Sequence, residues 1–296
     1  MRALSDNMRG ALLMMGSMAA FTLNDACMKV VLGELPLFQA IFLRGLATIV
    51  VLLVLSRWMG GLNFRMPGKD WALVLTRSLS EIGATYFFIN ALFHMPIANV
   101  TAILQVLPLT VTLSSAMLFG DKLGWRRLLA IMVGFVGVMI IVRDGLTGLN
   151  TYALYALVAV FFVTVRDLCA RRLSAGVSSV TIALVSAIGV FGFAAIGIQG
   201  EAWVAVSGKS FSLLAAAALF ILGGYLFSIM TMRVGEISFI APFRYTSLLW
   251  ALLLGFVVFG DWPDYLTMMG IVIVVVTGAF TFYRERKLAL GRVATQ

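Results

Sequence analysis

Residues 10–32 read GALLMMGSMAAFTLNDACMKVVL, and the rest of the chain follows from how this stretch is interpreted. A helix over these residues rises about 34 Å at 1.5 Å per residue, enough to cross the ~30 Å hydrocarbon core of a bilayer. The run is not purely apolar, because Asn24, Asp25 and Lys29 interrupt its second half. An ionisable group at mid-membrane costs about 2.5–3.5 kcal/mol on insertion scales, so it persists where it faces water or other protein rather than lipid. Arg2 and Arg9 precede the run as basic residues precede a secretory signal. The run is nevertheless span-length and no small-x-small cleavage site closes it. Ala26-Cys27 lacks the aliphatic residue that a lipoprotein box needs, since Asn24 stands there. The segment is expected to be a first membrane helix.

Apolar runs of similar length recur at 37–57, 70–93, 97–119, 126–142, 151–173, 178–198, 211–234, 238–259 and 264–283. The 296 residues are 61% hydrophobic and 12% charged, with mean hydropathy +1.03, whereas a soluble domain carries about 25% charged residues. The runs are continuous and do not alternate with period two, which excludes a β-barrel. The expected fold class is therefore all-α, a polytopic membrane protein of ten transmembrane helices. A net charge of +9 does not point to nucleic acid, because the basic residues sit singly or in pairs and form no stripe. Cys27 and Cys169 both lie inside spans, so neither a disulfide framework nor a thiol metal site is indicated. No HExxH, Walker or Rossmann pattern occurs, so neither a cofactor, a metal, an enzymatic activity nor ATP-driven transport is expected.

Orientation follows from the basic residues. With a cytoplasmic N-terminus the inner side receives fifteen of them (Arg2, Arg9, Arg57, Arg65, Lys69, Lys122, Arg126, Arg127, Arg171, Arg172, Arg233, Arg284, Arg286, Lys287 and Arg292) and the outer side only Arg143 and Lys209. Both termini are expected to be cytoplasmic. The halves also repeat. Asp25, Cys27 and Lys29 recur as Asp167, Cys169 and Arg171, shifted by 142, and Phe119-Gly120-Asp121 recurs as Phe259-Gly260-Asp261, shifted by 140. Five crossings per half make the second copy enter from the opposite face, so an inverted repeat is expected with halves at 1–145 and 146–296.

These features resemble the EamA branch of the drug/metabolite transporter superfamily over nearly the whole chain. The residues that carry the resemblance are Asn24-Asp25-Ala26-x-x-Lys29, Pro36 followed by Gln39 and Arg44, and the Gly-Asp pairs at 120 and 260, where the family usually shows Gly-Glu. The combination is most similar to bacterial riboflavin and S-adenosylmethionine uptake members. The resemblance implies two inverted five-helix halves around a central substrate cavity, a plasma-membrane location and a small-metabolite substrate, in a family holding both importers and exporters.

Candidate site residues are the ionisable groups within spans. Asp25 and Lys29 are four apart on helix 1, on one face, and Arg44 on helix 2 shares the depth of Asp25. Asp25 is expected to pair with Arg44 or Lys29, either as a permanent bridge or as an outer gate. Arg77 and Glu81 form a second i,i+4 couple with Glu81 near the midplane, the candidate for proton coupling. Asp167 and Arg244 are the expected inner counterpart of the outer pair, while Arg166, adjacent to Asp167, is expected to point elsewhere and snorkel toward headgroups. Gln105 and Tyr245 are equivalent in the 140-residue shift and could hydrogen-bond a substrate, with Trp250, Tyr86 and Asn90 lining the same cavity. Pro108 and Pro242 are expected to kink their helices, and His94 to lie at the surface. Basic groups within spans outnumber acidic ones by five to three, which favours an electron-rich or anionic substrate such as riboflavin. The competing readings are export of an amino acid or similar metabolite, an intramembrane enzyme and a non-transporting scaffold. The partners expected are the small-molecule substrate and the lipid bilayer. Transport direction and oligomeric state are left open by these residues.

Overall fold

The computed structural model describes residues 6–57, 61–119, 125–144, 148–174, 176–231, 234 and 240–293. Six helices fill the first part of the chain: α1 Asp6–Val31, α2 Leu37–Ser56, α3 Gly68–His94, α4 Ile97–Leu104, α5 Leu107–Phe119 and α6 Trp125–Val142. A two-residue antiparallel ladder, β1 Arg143–Asp144 with β2 Gly148–Leu149, closes the turn that follows. Then come α7 Thr151–Arg172, α8 Ser179–Gly197, α9 Gly208–Thr231, a 3-10 turn Ala241–Tyr245, α10 Thr246–Leu254, a π-helical turn Gly255–Phe259 and α11 Tyr265–Val293. The all-helical expectation holds. Among the described residues seven helices are long and apolar enough to cross a membrane, and Leu128–Val142 and Tyr265–Phe280 are shorter apolar helices. The charge-bearing α3 is not one of the seven.

Two expected spans are helical throughout their described length but irregular partway. The run 97–119 divides into α4 and α5 at Gln105 and Val106. The cause is local: Pro108 has no N–H to return to the carbonyl of Leu104, and its ring crowds that carbonyl. Within the run 238–259, Ala241–Tyr245 form the 3-10 turn with Pro242 in its first positions, and α10 follows from Thr246. Gln105 and Tyr245, matched by the 140-residue shift, thus stand at corresponding irregularities. At the far end of the second of these runs, Gly260 adopts φ +69°, the left-handed conformation that glycine tolerates best. Its N–H and that of Asp261 close back on Phe256 and Gly255, so this Gly-Asp pair is a helix stop. The matching pair Gly120-Asp121 lies outside the described residues.

The chain forms two compact units, one of residues 1–23, 95–154 and 223–296, the other of residues 24–94 and 155–222. Each unit draws on both halves of the sequence, and α1, α7 and α9 each give one end to each unit. In the first unit α6 packs along α11. Glycine makes this approach possible, because a Cβ on Gly270 would meet the carbonyl oxygen of Gly137 at 2.7 Å. In the second unit α8 packs against α2 and α3, and a Cβ on Gly45 of α2 would lie 3.3 Å from Phe191 of α8.

Candidate functional site

Near the middle of the second unit four ionised side chains form a continuous chain. Glu81 is the central residue of α3, thirteen residues from either end. Arg77, one turn earlier, approaches it with Nη2 at 3.9 Å, and Arg166 of α7 places Nη1 3.4 Å from each of its two carboxylate oxygens. The Nε of Arg166 donates to Asp167 at 2.9 Å. Arg77 is steadied from a third helix, donating to Ser186 Oγ of α8 at 2.6 Å, and Ser186 is shared with Ser78 at 3.1 Å. The four side chains are 16–33% exposed, so they border an accessible surface. Ionised groups cannot turn that surface to acyl chains without large cost, so it must be wetted or capped by protein.

Arg166 therefore departs from expectation. It does not snorkel away from Asp167 but curls back to bond it, and reaches across to α3. Adjacent residues on a helix face different directions, but a long guanidinium stem covers that separation, which residue spacing alone does not show.

An aromatic run adjoins the charges. Phe162, one helical turn before Arg166, lies against Gly83, where a Cβ would sit 2.8 Å from its ring. Phe162 stacks on Phe87 at 5.9 Å with the planes 14° apart. Phe87 in turn meets Tyr155 and Tyr86 edge-on at 5.2 and 5.3 Å, and Tyr86 stacks on Phe38 at 6.0 Å. Asn90 turns its amide to the carbonyl of Tyr86 in its own helix.

The α1 group lies in the same unit. Asp25 accepts from the neighbouring Asn24 at 2.9 Å, and Arg44 is the cation whose charge acts on it. Asn24 Oδ1 is buried with no partner among the described residues. Lys29 donates to the backbone carbonyl of Leu92 near the end of α3 at 2.8 Å. His94 is exposed beside it and bonds the carbonyl of Asn90.

Gln105, Arg244, Tyr245 and Trp250 belong to the first unit. Gln105 is 8% exposed and donates to Ser247 Oγ at 2.5 Å, which ties the irregular turn between α4 and α5 to the start of α10. Tyr245 is 7% exposed, with its hydroxyl directly over Gly278 of α11, where any side chain would collide. Arg244 and Trp250 are exposed. A cavity of about 300 Å³ in this unit, lined by Leu12, Leu13, Gly16, Phe227 and Met230 with Arg9, includes none of the candidate residues.

Two further carboxylates fasten the connections at one end of the second unit. Glu34, in the turn after α1, accepts from Ser207 at 2.9 Å, Ser210 at 2.5 Å and Lys209 at 2.8 Å around the start of α9. Those donors, Lys209 foremost, hold its carboxyl at about 2, below the ordinary 4.5. Glu201, in the turn after α8, accepts from the backbone N–H groups of Phe38 and Gln39 at 3.1 and 3.3 Å, capping α2. Gln39 bonds Val204 through both its amide groups. At the other end Asp70 accepts from Ser174 N and Oγ, both at 3.2 Å. Glu34 and Glu201 lie outside the candidate set, and Arg166 belongs to it only as an ionisable group within a span. Glu34 meets the Ser-x-Lys-Ser segment at 207–210 and Glu201 the backbone N–H groups that start α2, and nothing in the residues themselves marks either pairing.

Residues 8–143 match the EamA-like transporter family. The chain is 24% identical over 287 residues to the S-adenosylmethionine uptake transporter of Rickettsia prowazekii (strain Madrid E), covering 96% of each. It is 26% identical over 283 residues to the riboflavin transporter of Vibrio cholerae, covering 95% of each. It is 23% identical over 277 residues to a pseudopaline exporter of Pseudomonas aeruginosa, covering 90% of this chain and 93% of that one. A crystal structure of another protein superposes on 94% of this chain and 98% of its own with a TM-score of 0.68 and 18% identity, a likeness of fold.

Proposed function

We propose that this chain, whose residues 8–143 match the EamA-like transporter family, is a membrane transporter that moves a small metabolite across the plasma membrane by secondary active, alternating-access transport. The observation that carries the reading is the chain of four charges around Glu81 at the centre of α3. A scaffold needs no ionised groups at that depth, and a passage for a polar solute does. Ten crossings in two inverted five-helix repeats, 1–145 and 146–296, with both termini cytoplasmic, complete the proposal. It is supported by the matched irregularities at Gln105 and Tyr245, since broken helices recur at the midplane of transporters built this way. Glu81 is the proposed proton-coupling group.

Riboflavin is one proposed substrate, taken up from outside. The stacked aromatic run from Phe162 to Phe38 supports a flat heterocycle, as does similarity to a riboflavin transporter. A second reading, uptake of S-adenosylmethionine, is favoured by similarity to an S-adenosylmethionine uptake transporter over nearly the whole chain. The excess of basic over acidic groups within the spans favours an anion, and that excess is absent at this site. The test is uptake of labelled riboflavin and labelled S-adenosylmethionine into cells expressing the chain, across external pH 5.5–8. Accumulation that is saturable and abolished by a protonophore is expected. Absence of uptake for both would remove these substrates, and unchanged pH dependence in Glu81→Gln would remove the proton role.

A further inference from the structure

We propose that the apolar cavity between the early turns of α1 and the last turns of α9 holds an acyl chain of an anionic phospholipid, with the lipid phosphate on Arg9. The site lies within the first unit, apart from the charges around Glu81, and the transport reading gives it no role. Binding there depends on neither substrate nor direction. Only the choice of leaflet, the inner one, rests on the proposed cytoplasmic N-terminus.

The shape comes from glycine. Ser17 Oγ of α1 donates to the carbonyl of Gly224 of α9 at 2.7 Å, and a Cβ on Gly224 would sit 2.7 Å from the ring of Phe21, so the two helices are in close contact here. Beside that contact Gly16 leaves room in front of Phe227, whose ring a Cβ would meet at 3.3 Å. From Gly16 to Arg9 a cavity of about 300 Å³ remains, at the lower end of the range for small-ligand sites. Leu12, Phe227 and Met230 on its lining are 40–48% exposed, so it opens sideways, toward the surface that a span turns to lipid.

Acyl chains cover any such surface, and the apolar lining alone selects no occupant. Arg9 does, because it is the only charged residue among the described ones that line the cavity. It stands seven residues before Gly16, about 10 Å along the axis. One cation at the end of an apolar channel complements one anion at the end of an apolar chain, which is the layout of an acidic phospholipid. A guanidinium group binds phosphate through two nitrogens, and basic residues beside a span attract anionic headgroups. Arg9 meets Asp6 at 4.0 Å with both side chains mostly exposed, a pairing that contributes little in water and that a phosphate can replace.

The test uses the full-length protein in detergent, freed of native lipid. Dioleoyl phosphatidylglycerol carries the charge, dioleoyl phosphatidylcholine the same acyl chains with no net charge, and dioleoylglycerol the acyl chains alone. Apparent affinities come from the dependence of melting temperature on lipid concentration. Phosphatidylglycerol is expected to bind about five-fold more tightly than either other lipid. Arg9→Gln should lower it to the level of phosphatidylcholine, and Asp6→Asn, which removes the competing carboxylate, should strengthen it by up to about two-fold. Arg57→Gln removes an exposed cation outside the cavity and should leave the preference unchanged, which separates the site from diffuse attraction to a net charge of +9. Leu12→Trp fills the cavity from its open side and should weaken all three lipids. Equal affinity for the two phospholipids in the wild type, equal losses in Arg9→Gln and Arg57→Gln, or unchanged lipid binding in Leu12→Trp would each overturn the assignment. So would a dimer in light scattering that Leu12→Trp dissociates, which would give this face to a second copy of the chain. Asp6→Asn and Arg57→Gln alter only exposed side chains, so the comparison decides even if Arg9→Gln fails to fold. Flux in proteoliposomes is read separately: a lipid preference without flux removes the transport reading and keeps the site, and flux without a lipid preference does the reverse.

Discussion

Glu34, in the turn between α1 and α2, takes three donors at 2.5–2.9 Å, whereas Glu81, at the centre of α3, is met by guanidinium nitrogens at 3.4 and 3.9 Å. Both belong to the same compact unit, so the contrast is not one of overall packing. Hydrogen bonds weaken as the separation grows beyond about 3.2 Å. Glu34 therefore sits in a saturated set of short bonds that fixes a connection, and Glu81 in a looser set whose members can be exchanged. Glu201 extends the first pattern by capping α2 from the turn before α9, and Arg166, shared between Asp167 and Glu81, extends the second. Within this unit stability is concentrated at the turns, and adaptable charge is concentrated at mid-helix.

The strongest way to break that contrast is to exchange the functional consequences. Glu81→Leu is expected to reduce transport at least ten-fold while the protein still inserts, because it strands two guanidinium groups that the passage uses. Glu34→Gln and Glu201→Gln should leave transport within about two-fold. Uptake in vesicles, normalised to the amount of inserted protein, measures both. A large transport loss in the clamp variants with normal insertion would mean that the turns are moving parts and not anchors.

A smaller effect sharpens the link between the charges and the rings. Gly83→Ala places a methyl 2.8 Å from the ring of Phe162, and overpacking of this kind costs about 1–3 kcal/mol. Phe162 shares α7 with Arg166, so the displacement should also lengthen the Arg166–Glu81 contact and lower transport. Gly192→Ala on α8 meets nothing within 4 Å and is expected to be neutral or stabilising by up to about 1 kcal/mol through helix propensity. Unfolding measured side by side in one detergent compares them. Equal melting temperatures for the two variants would show that α3 and α7 are not closely fitted at Gly83.

Loss of the α2 cap comes next in size. Glu201→Ala leaves the N–H groups of Phe38 and Gln39 without their carboxylate, and removal of a helix cap costs about 0.5–2 kcal/mol. The melting temperature should fall by a few degrees, with hydrogen exchange rising first at the start of α2. Exchange that rises uniformly would argue against a local cap.

Much of this was legible in the sequence because a bilayer leaves the chain few options. Runs such as 37–57 and 151–173 became α2 and α7 within a residue or two, since a span-length apolar stretch must satisfy its backbone internally. The equivalence of Gln105 and Tyr245 was visible as spacing, but the helix irregularities beside them needed the backbone, because a proline in a span kinks, breaks or is absorbed according to its neighbours. The Arg77–Glu81 couple could be read from i,i+4 spacing. The third and fourth members could not, because the pairing of Arg166 with Glu81 joins residues 85 apart and depends on how α3 meets α7. Glu34 and Glu201 escaped for a related reason: a carboxylate in a turn next to a span looks like any solvated surface charge until its donors arrive from a distant turn.

The finest expected effect is the response of the Glu34 clamp to acid. With its carboxyl held at about 2 against an ordinary 4.5, the folded protein releases the proton of Glu34 more readily than the unfolded chain does. The clamp's contribution is therefore fully present above about pH 4.5 and is lost as pH falls from there toward 2. Glu34→Gln has no such proton to bind, so its stability lacks this term at every pH. The difference in melting temperature between wild type and Glu34→Gln should stay constant from pH 7 to pH 5, then close progressively as the pH drops toward 2.5. Removing Lys209, the foremost of the donors, by Lys209→Met should shrink the difference and complete its closure at higher pH, since the onset near 4.5 belongs to the unfolded chain. A difference that persists undiminished at pH 2.5 would mean that the three short bonds do not hold the ionised carboxylate, and the contrast with Glu81 would then rest on distance alone.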